Sequence, residues 1–91
     1  MWELIVSPTP AKAFVKLTKR DRNMAIRIKQ ELDSLREVEN PRDFLKPLAG
    51  YYPPNYSARV GDYRIVVELD DNRHVIFVRG IGHRKNVYDR L

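Results

Sequence analysis

Tyr56-Ser57-Ala58-Arg59-Val60-Gly61-Asp62-Tyr63-Arg64-Ile65-Val66-Val67-Glu68-Leu69 consists of two alternating stretches joined by a Gly-Asp pair. Alternation of apolar and polar residues is the mark of a half-buried strand. Glycine at the first central position of a two-residue turn is what a type II′ hairpin requires. With Gly61-Asp62 as that turn, Val60 faces Tyr63, Arg59 faces Arg64, Ala58 faces Ile65 and Ser57 faces Val66. One face then carries Tyr56, Ala58, Val60, Tyr63, Ile65, Val67 and Leu69, a set that belongs against a core. The other carries Asn55, Ser57, Arg59, Arg64, Val66 and Glu68.

Downstream, Asp70-Asp71-Asn72-Arg73 reads as a turn, and His74 to Ile81 as a last strand, apolar on both faces and therefore central. Its register is open: a two-residue turn at Asp71-Asn72 puts Arg79 opposite Arg64, a three-residue loop puts Gly80 there. Gly82 to Tyr88 then leaves the sheet as a tail. Upstream, Pro41, Pro47, Gly50, Pro53 and Pro54 make Val38 to Pro54 a connection with a short turn at Asp43 to Leu45. Tyr51, Tyr52 and Tyr56 around Pro53-Pro54 could stack bases, but read first as an aromatic-rich loop covering the sheet edge. Asp21 caps a helix whose apolar stripe is Met24 or Ala25, Ile28, Leu32 and Leu35. Thr9, with Pro10 at the first helical position, starts an earlier helix that runs to about Thr18, with Ala11, Phe14, Val15 and Thr18 at helical spacing. Trp2, Leu4 and Val6 form a first strand ended by Ser7-Pro8-Thr9-Pro10. The expected fold is a small α+β single domain over residues 1–91, ordered β-α-α-β-β-β. A helical hairpin packs on an antiparallel three-stranded meander plus the N-terminal strand.

Composition narrows the function. A chain of 91 residues has one modest core and no room for a second domain or a deep cofactor cleft, so no cofactor is expected. There is no cysteine, and His74 and His83 stand apart, so no metal site is expected either. No apolar run approaches the ~20 residues of a membrane span. Met1-Trp2-Glu3-Leu4 lacks the features of a secretory signal, which points to the cytoplasm. The net charge of +5 suits a polyanionic partner. Lys12 to Arg36 is the most basic stretch, read mainly as the solvated faces of surface helices.

Placement of charge says more than its amount. Like charges directly opposite on a hairpin repel, yet Arg59 and Arg64 are such a pair. Arginine's planar fork holds phosphate or carboxylate bidentately, so an anion belongs there. The competing reading is that both side chains splay into solvent or are neutralised by Glu68 and Asp62. Arg84 and Lys85 add positive charge at one end of the same face, and Tyr88 adds a phenol. His83 is the candidate general base by its ordinary pKa, or else a turn histidine bonded to backbone. His74 receives no role.

Arg-Val-Gly-Asp-Tyr-Arg at 59–64, with Gly-His-Arg-Lys and then Val-Tyr at 82–88, resembles the RelE toxins of the RelE/ParE toxin–antitoxin superfamily. The resemblance covers essentially the whole chain. It implies a ribosome-dependent endoribonuclease that cuts messenger RNA in the decoding site by metal-independent attack of a 2′-hydroxyl. It also implies a RelB-like antitoxin wrapped around the toxin in a hetero-oligomer. Carried over, Arg59 matches a basic strand position, Arg64 the arginine opening the next strand, Arg84 the arginine after the last strand, and Tyr88 the tyrosine of the tail. Ser57 stands where the best-known members have a further lysine. Two other readings remain: a toxin of the ParE kind, which poisons DNA gyrase without cutting RNA, and a basic RNA-binding module without catalysis.

Overall fold

The computed structural model describes residues 1–87. The elements are β1 (Glu3–Val6), α1 (Pro8–Arg20), α2 (Arg22–Glu37), a 3-10 turn (Pro41–Phe44), β2 (Lys46–Leu48), β3 (Asn55–Val60), β4 (Tyr63–Asp70) and β5 (Val75–His83). Five strands form one sheet in the order β1-β5-β4-β3-β2. β1 runs parallel to β5, and every other neighbouring pair is antiparallel. The α+β architecture of a helical hairpin on a meander plus the N-terminal strand is as the sequence implied, with β2 added at the far edge. No helix among the described residues is long and apolar enough to cross a membrane.

The β3–β4 hairpin has the register read from the alternation: Val60 lies opposite Tyr63, Arg59 opposite Arg64, Ala58 opposite Ile65 and Ser57 opposite Val66. Gly61 takes φ 58°, a region a side chain disfavours. Ala58, Val60, Ile65 and Val67 join Ile76, Val78 and Ile81 of β5 in the core, under Ala25, Ile28, Leu32 and Leu35 of α2. Asp21 caps α2 by accepting a hydrogen bond from the Met24 N–H. That satisfies one of the free donors of the first turn.

Several expectations are corrected. α1 begins one turn-signal earlier, with Ser7 at the cap and Pro8 in the first turn, and runs on to Arg20. Its buried residues are Pro10 and Leu17, and Val15, placed in the apolar stripe by spacing, is 58% exposed. Lys46-Pro47-Leu48 is a strand rather than part of a plain connection: Lys46 pairs with Ser57 and Leu48 with Asn55. Proline is tolerated there because β2 is an edge. Tyr52 covers nothing, being 97% exposed. Neither register considered for the last hairpin occurs: Gly82, not Arg79 or Gly80, lies opposite Arg64. His74 adopts φ 56° in a longer turn, its ring set edge-on to Trp2 at 4.7 Å, and a bulge at Val66/Val67 shifts the pairing again. β5 therefore extends through His83 instead of stopping at Ile81.

The turn between β4 and β5 is tied to the segment before β2. Arg42 donates two hydrogen bonds to the Asp71 carboxylate, at 2.7 and 2.8 Å, and a third to the Tyr56 hydroxyl. The Arg42 guanidinium holds the Asp71 carboxyl below its ordinary value of 3.8. A carboxylate with a lowered folded pKa stabilises above its unfolded value, and that contribution vanishes as pH falls through the folded one. Both groups face solvent, which limits the pair to at most about 1 kcal/mol.

Two outcomes follow. Asp71→Asn lowers stability at neutral pH by at most about 1 kcal/mol, and urea titrations show the gap to the parent closing below about pH 4. Gly61→Ala places a Cβ 2.9 Å from the Met24 Cε at a positive φ. Its cost, read from the same titrations, is about 1–2 kcal/mol.

Candidate functional site

Helices cover one face of the sheet. On the other, Lys46, Leu48, Ser57, Arg59, Arg64, Arg84 and Lys85 line a concavity of about 630 Å³. The strands explain why these residues converge. Arg59 and Arg64 are cross-strand partners and so share a face. Lys46 and Leu48 lie opposite Ser57 and Asn55, which fixes them on that same face. Arg84 and Lys85 arrive from the turn after β5, where the Arg84 N–H donates to the Asp62 carbonyl at 2.8 Å. Val87 folds back against Gly82, where an added Cβ would meet the Val87 Cβ at 3.4 Å. A larger residue at 82 would press on this return.

Among the described residues, no acidic side chain lines the concavity. Glu68, one of the two carboxylates that offered neutralisation, instead accepts from Arg79 at 3.0 Å. Among the described residues, the ion pairs are Lys29–Asp33, Arg42–Asp71, Arg73–Asp70 and Arg79–Glu68. Arg59, Arg64, Arg84, Lys85 and Lys46 appear in none of them. The Arg59 Nε donates to the Gly61 carbonyl at 3.2 Å, and an Arg64 terminal nitrogen to the Tyr63 carbonyl at 3.3 Å. Each guanidinium is thus oriented by backbone while most of its five donors stay available. The chemical capacity is that of an anion cradle, suited to phosphate oxygens.

His83 is elsewhere. It lies opposite Tyr63, so its ring is on the helix side of the sheet, 5.8 Å from the Tyr63 ring centroid. It lines a separate groove of about 430 Å³ with Lys16 and Arg20 of α1. Its Nδ1 accepts the Lys85 N–H at 3.3 Å, the turn-histidine geometry. The adjacent residues His83 and Arg84 therefore serve opposite faces. Tyr88 lies outside the described residues. Lys46 and Leu48 escaped sequence reasoning because the proline between them hid a strand. Among the described residues, no group of three His, Asp or Glu side chains is arranged to hold a metal ion.

A family model described as the ParE toxin of the type II toxin–antitoxin system, parDE, matches residues 5–88. Among solved structures, the chain is similar to one in the RelBE2 toxin–antitoxin complex from Mycobacterium tuberculosis. The TM-score there is 0.71 at 22% identity, covering 93% of each chain. It is also similar to one in the archaeal RelE–RelB complex from Pyrococcus horikoshii. There the TM-score is 0.73 at 24% identity, covering 93% of this chain and 97% of that one. These likenesses show the fold. No curated protein sequence matches.

The Arg59–Arg64 juxtaposition has a measurable cost. Arg59→Glu converts a repulsive cross-strand pair into an attractive one and raises stability by about 0.2–1 kcal/mol. Thermal melts show the gain at low salt and its loss near about 1 M salt, where charges are screened within ~3 Å.

Proposed function

The chain belongs to the ParE toxin family of type II toxin–antitoxin systems, and we propose that within it the molecule is a ribosome-dependent endoribonuclease of the RelE kind, cutting messenger RNA in the decoding site. One observation carries this reading: Arg59, Arg64 and Arg84 line one concavity on the open sheet face that, among the described residues, holds no acidic side chain and gives them no carboxylate partner. A surface that only needed solubility would not gather its charges at a cost to its own hairpin.

RNA brings its own nucleophile. The 2′-oxygen gives up its proton and bonds to the adjacent phosphorus, the bond from phosphorus to the 5′-oxygen breaks, and that oxygen takes up a proton. The products are a 2′,3′-cyclic phosphate and a 5′-hydroxyl, with no metal in the scheme. Arg59 and Arg64 hold the non-bridging oxygens, and Arg84 offsets charge that grows on the phosphorane. Tyr88, by the resemblance, carries a proton or stacks on a base. His83 acts through the turn: by holding the Lys85 N–H it sets the direction in which Arg84 and Lys85 project. In this reading His83 is a positioning residue rather than the general base.

The partner is a RelB-like antitoxin, and together they form a hetero-oligomer in the cytoplasm. Its site on the toxin is the groove beside α1, where Lys16 and Arg20 border apolar Leu17 and Ile81. An acidic amphipathic segment that folds as it binds fits that lining. The match to a ParE model favours a second reading, in which the toxin poisons DNA gyrase by binding and cuts nothing.

Primer extension on a defined messenger RNA, with and without programmed ribosomes, decides between them. Cuts at fixed codon positions only with ribosomes are expected. Arg64→Ala and Arg84→Ala each reduce the cutting rate at least tenfold, about 1.4 kcal/mol of transition-state stabilisation, with unaltered circular dichroism. No cuts in either tube, together with inhibited gyrase supercoiling, would establish the second reading.

A further inference from the structure

Lys46 is a basic group on the open face that the arginine scheme leaves unused. It belongs to β2, a three-residue edge strand, and lies directly opposite Ser57. Opposed residues of antiparallel strands project to the same face, and diagonal neighbours two residues along are about 7–8 Å apart, within reach of long side chains. Arg59 is that diagonal neighbour. Ser57 is buried and short, so the space next to Arg59 along β3 is filled by no side chain of its own strand. Lys46 reaches toward it from the adjacent strand and lines the same concavity as Arg59, Arg64 and Arg84.

A lysine on an edge strand has an ordinary explanation, protection against pairing with another chain. Here that protection is already present, because β2 is short and Pro47 at its centre removes a donor. Nor does Lys46 form an ion pair: no carboxylate lies within 4.0 Å among the described residues. Lys46 is exposed, forms no ion pair among the described residues and shares the concavity with Arg59, Arg64 and Arg84, a cluster of like charge that a polyanion with closely spaced charges complements. A phosphodiester strand supplies such spacing.

We propose that Lys46 is a substrate-binding residue, holding the RNA phosphate next to the one gripped by Arg59 and Arg64. The inference rests on the endoribonuclease reading for its consequence in cleavage, but its binding claim concerns only single-stranded RNA. Lysine suits an outlying contact, as a compact charge on a flexible stem that follows the strand rather than orienting the reacting group. Its removal therefore raises KM about tenfold and leaves kcat within about threefold, the signature of uniform binding.

The test measures binding of a fluorescent 2′-O-methyl oligoribonucleotide, which offers no nucleophile, to the parent protein, Lys46→Ala and Lys46→Arg across about 50–200 mM salt. Lys46→Ala weakens binding and reduces the log–log salt slope by about 0.7, one single-strand phosphate contact. Lys46→Arg restores the slope. Ribosome-dependent cleavage is measured in parallel. An unchanged slope in Lys46→Ala, a fall in kcat at constant KM, or no binding by the parent protein overturns the proposal. If the parent cuts no messenger RNA while the slope still depends on Lys46, the endoribonuclease reading falls and the phosphate contact stands. If the parent cuts and the slope is indifferent to Lys46, the reverse holds.

Discussion

The backbone of Gly61 turns the chain at φ 58°, and by doing so sets Val60 against Tyr63 and every pair beyond them. Side chains alternate along a strand, so a slip of one residue would send the whole apolar set to solvent and the arginines into the core. The arrangement of the hairpin is therefore all or nothing. Its helix-facing side holds Ile65 and Val67 at no measurable exposure, and that burial fixes the register from below. The arginines opposite each other on the upper side are held there by the core, against their own repulsion. The clustering of the two arginines is a consequence of packing on the other side of the same backbone.

Charge is divided by use. Arg42 and Arg79 meet carboxylates and fasten segments of chain: Arg42 joins the turn before β2 to the turn after β4, and Arg79 lies beside Glu68 across β4 and β5. Arg59, Arg64, Arg84, Lys85 and Lys46 meet none among the described residues and share one hollow. The excess of +5 is thus partly concentrated where it does nothing for the fold. Lys16 and Arg20 border a second groove on the helix side, with Leu17, Tyr63 and Ile81 in its lining, so the two faces differ in chemistry.

How much was legible in the sequence depended on how local the deciding interaction was. Gly61-Asp62, the Asp21 cap and the stripe from Ala25 to Leu35 are each governed by residues within one turn or hairpin, and each was read correctly. Ser7-Pro8 and Thr9-Pro10 are equivalent start signals by residue type, and the helix takes the first, with Pro10 and Leu17 buried. The β4–β5 register escaped because it depends on His74 in a left-handed conformation and on a bulge at Val66/Val67, neither of which has a composition signal. That shift also decided the site: with β5 continuing through His83, parity carries the imidazole to the helix side, away from Arg84. β2 was hidden by its proline, and Lys46 with it.

β1 lies parallel to β5, with Glu3 beside Val75 and Val6 beside Val78. The Glu3 N–H donates to the carbonyl of His74. During vectorial synthesis the helical hairpin, built from local contacts, is available early, whereas β1 has no partner until residue 78 has been made. β5 is also the strand that leads directly into Arg84. Closure of the sheet on β1 and completion of the basic hollow therefore both wait on β5, and a nascent chain short of that point lacks both the parallel pairing and Arg84.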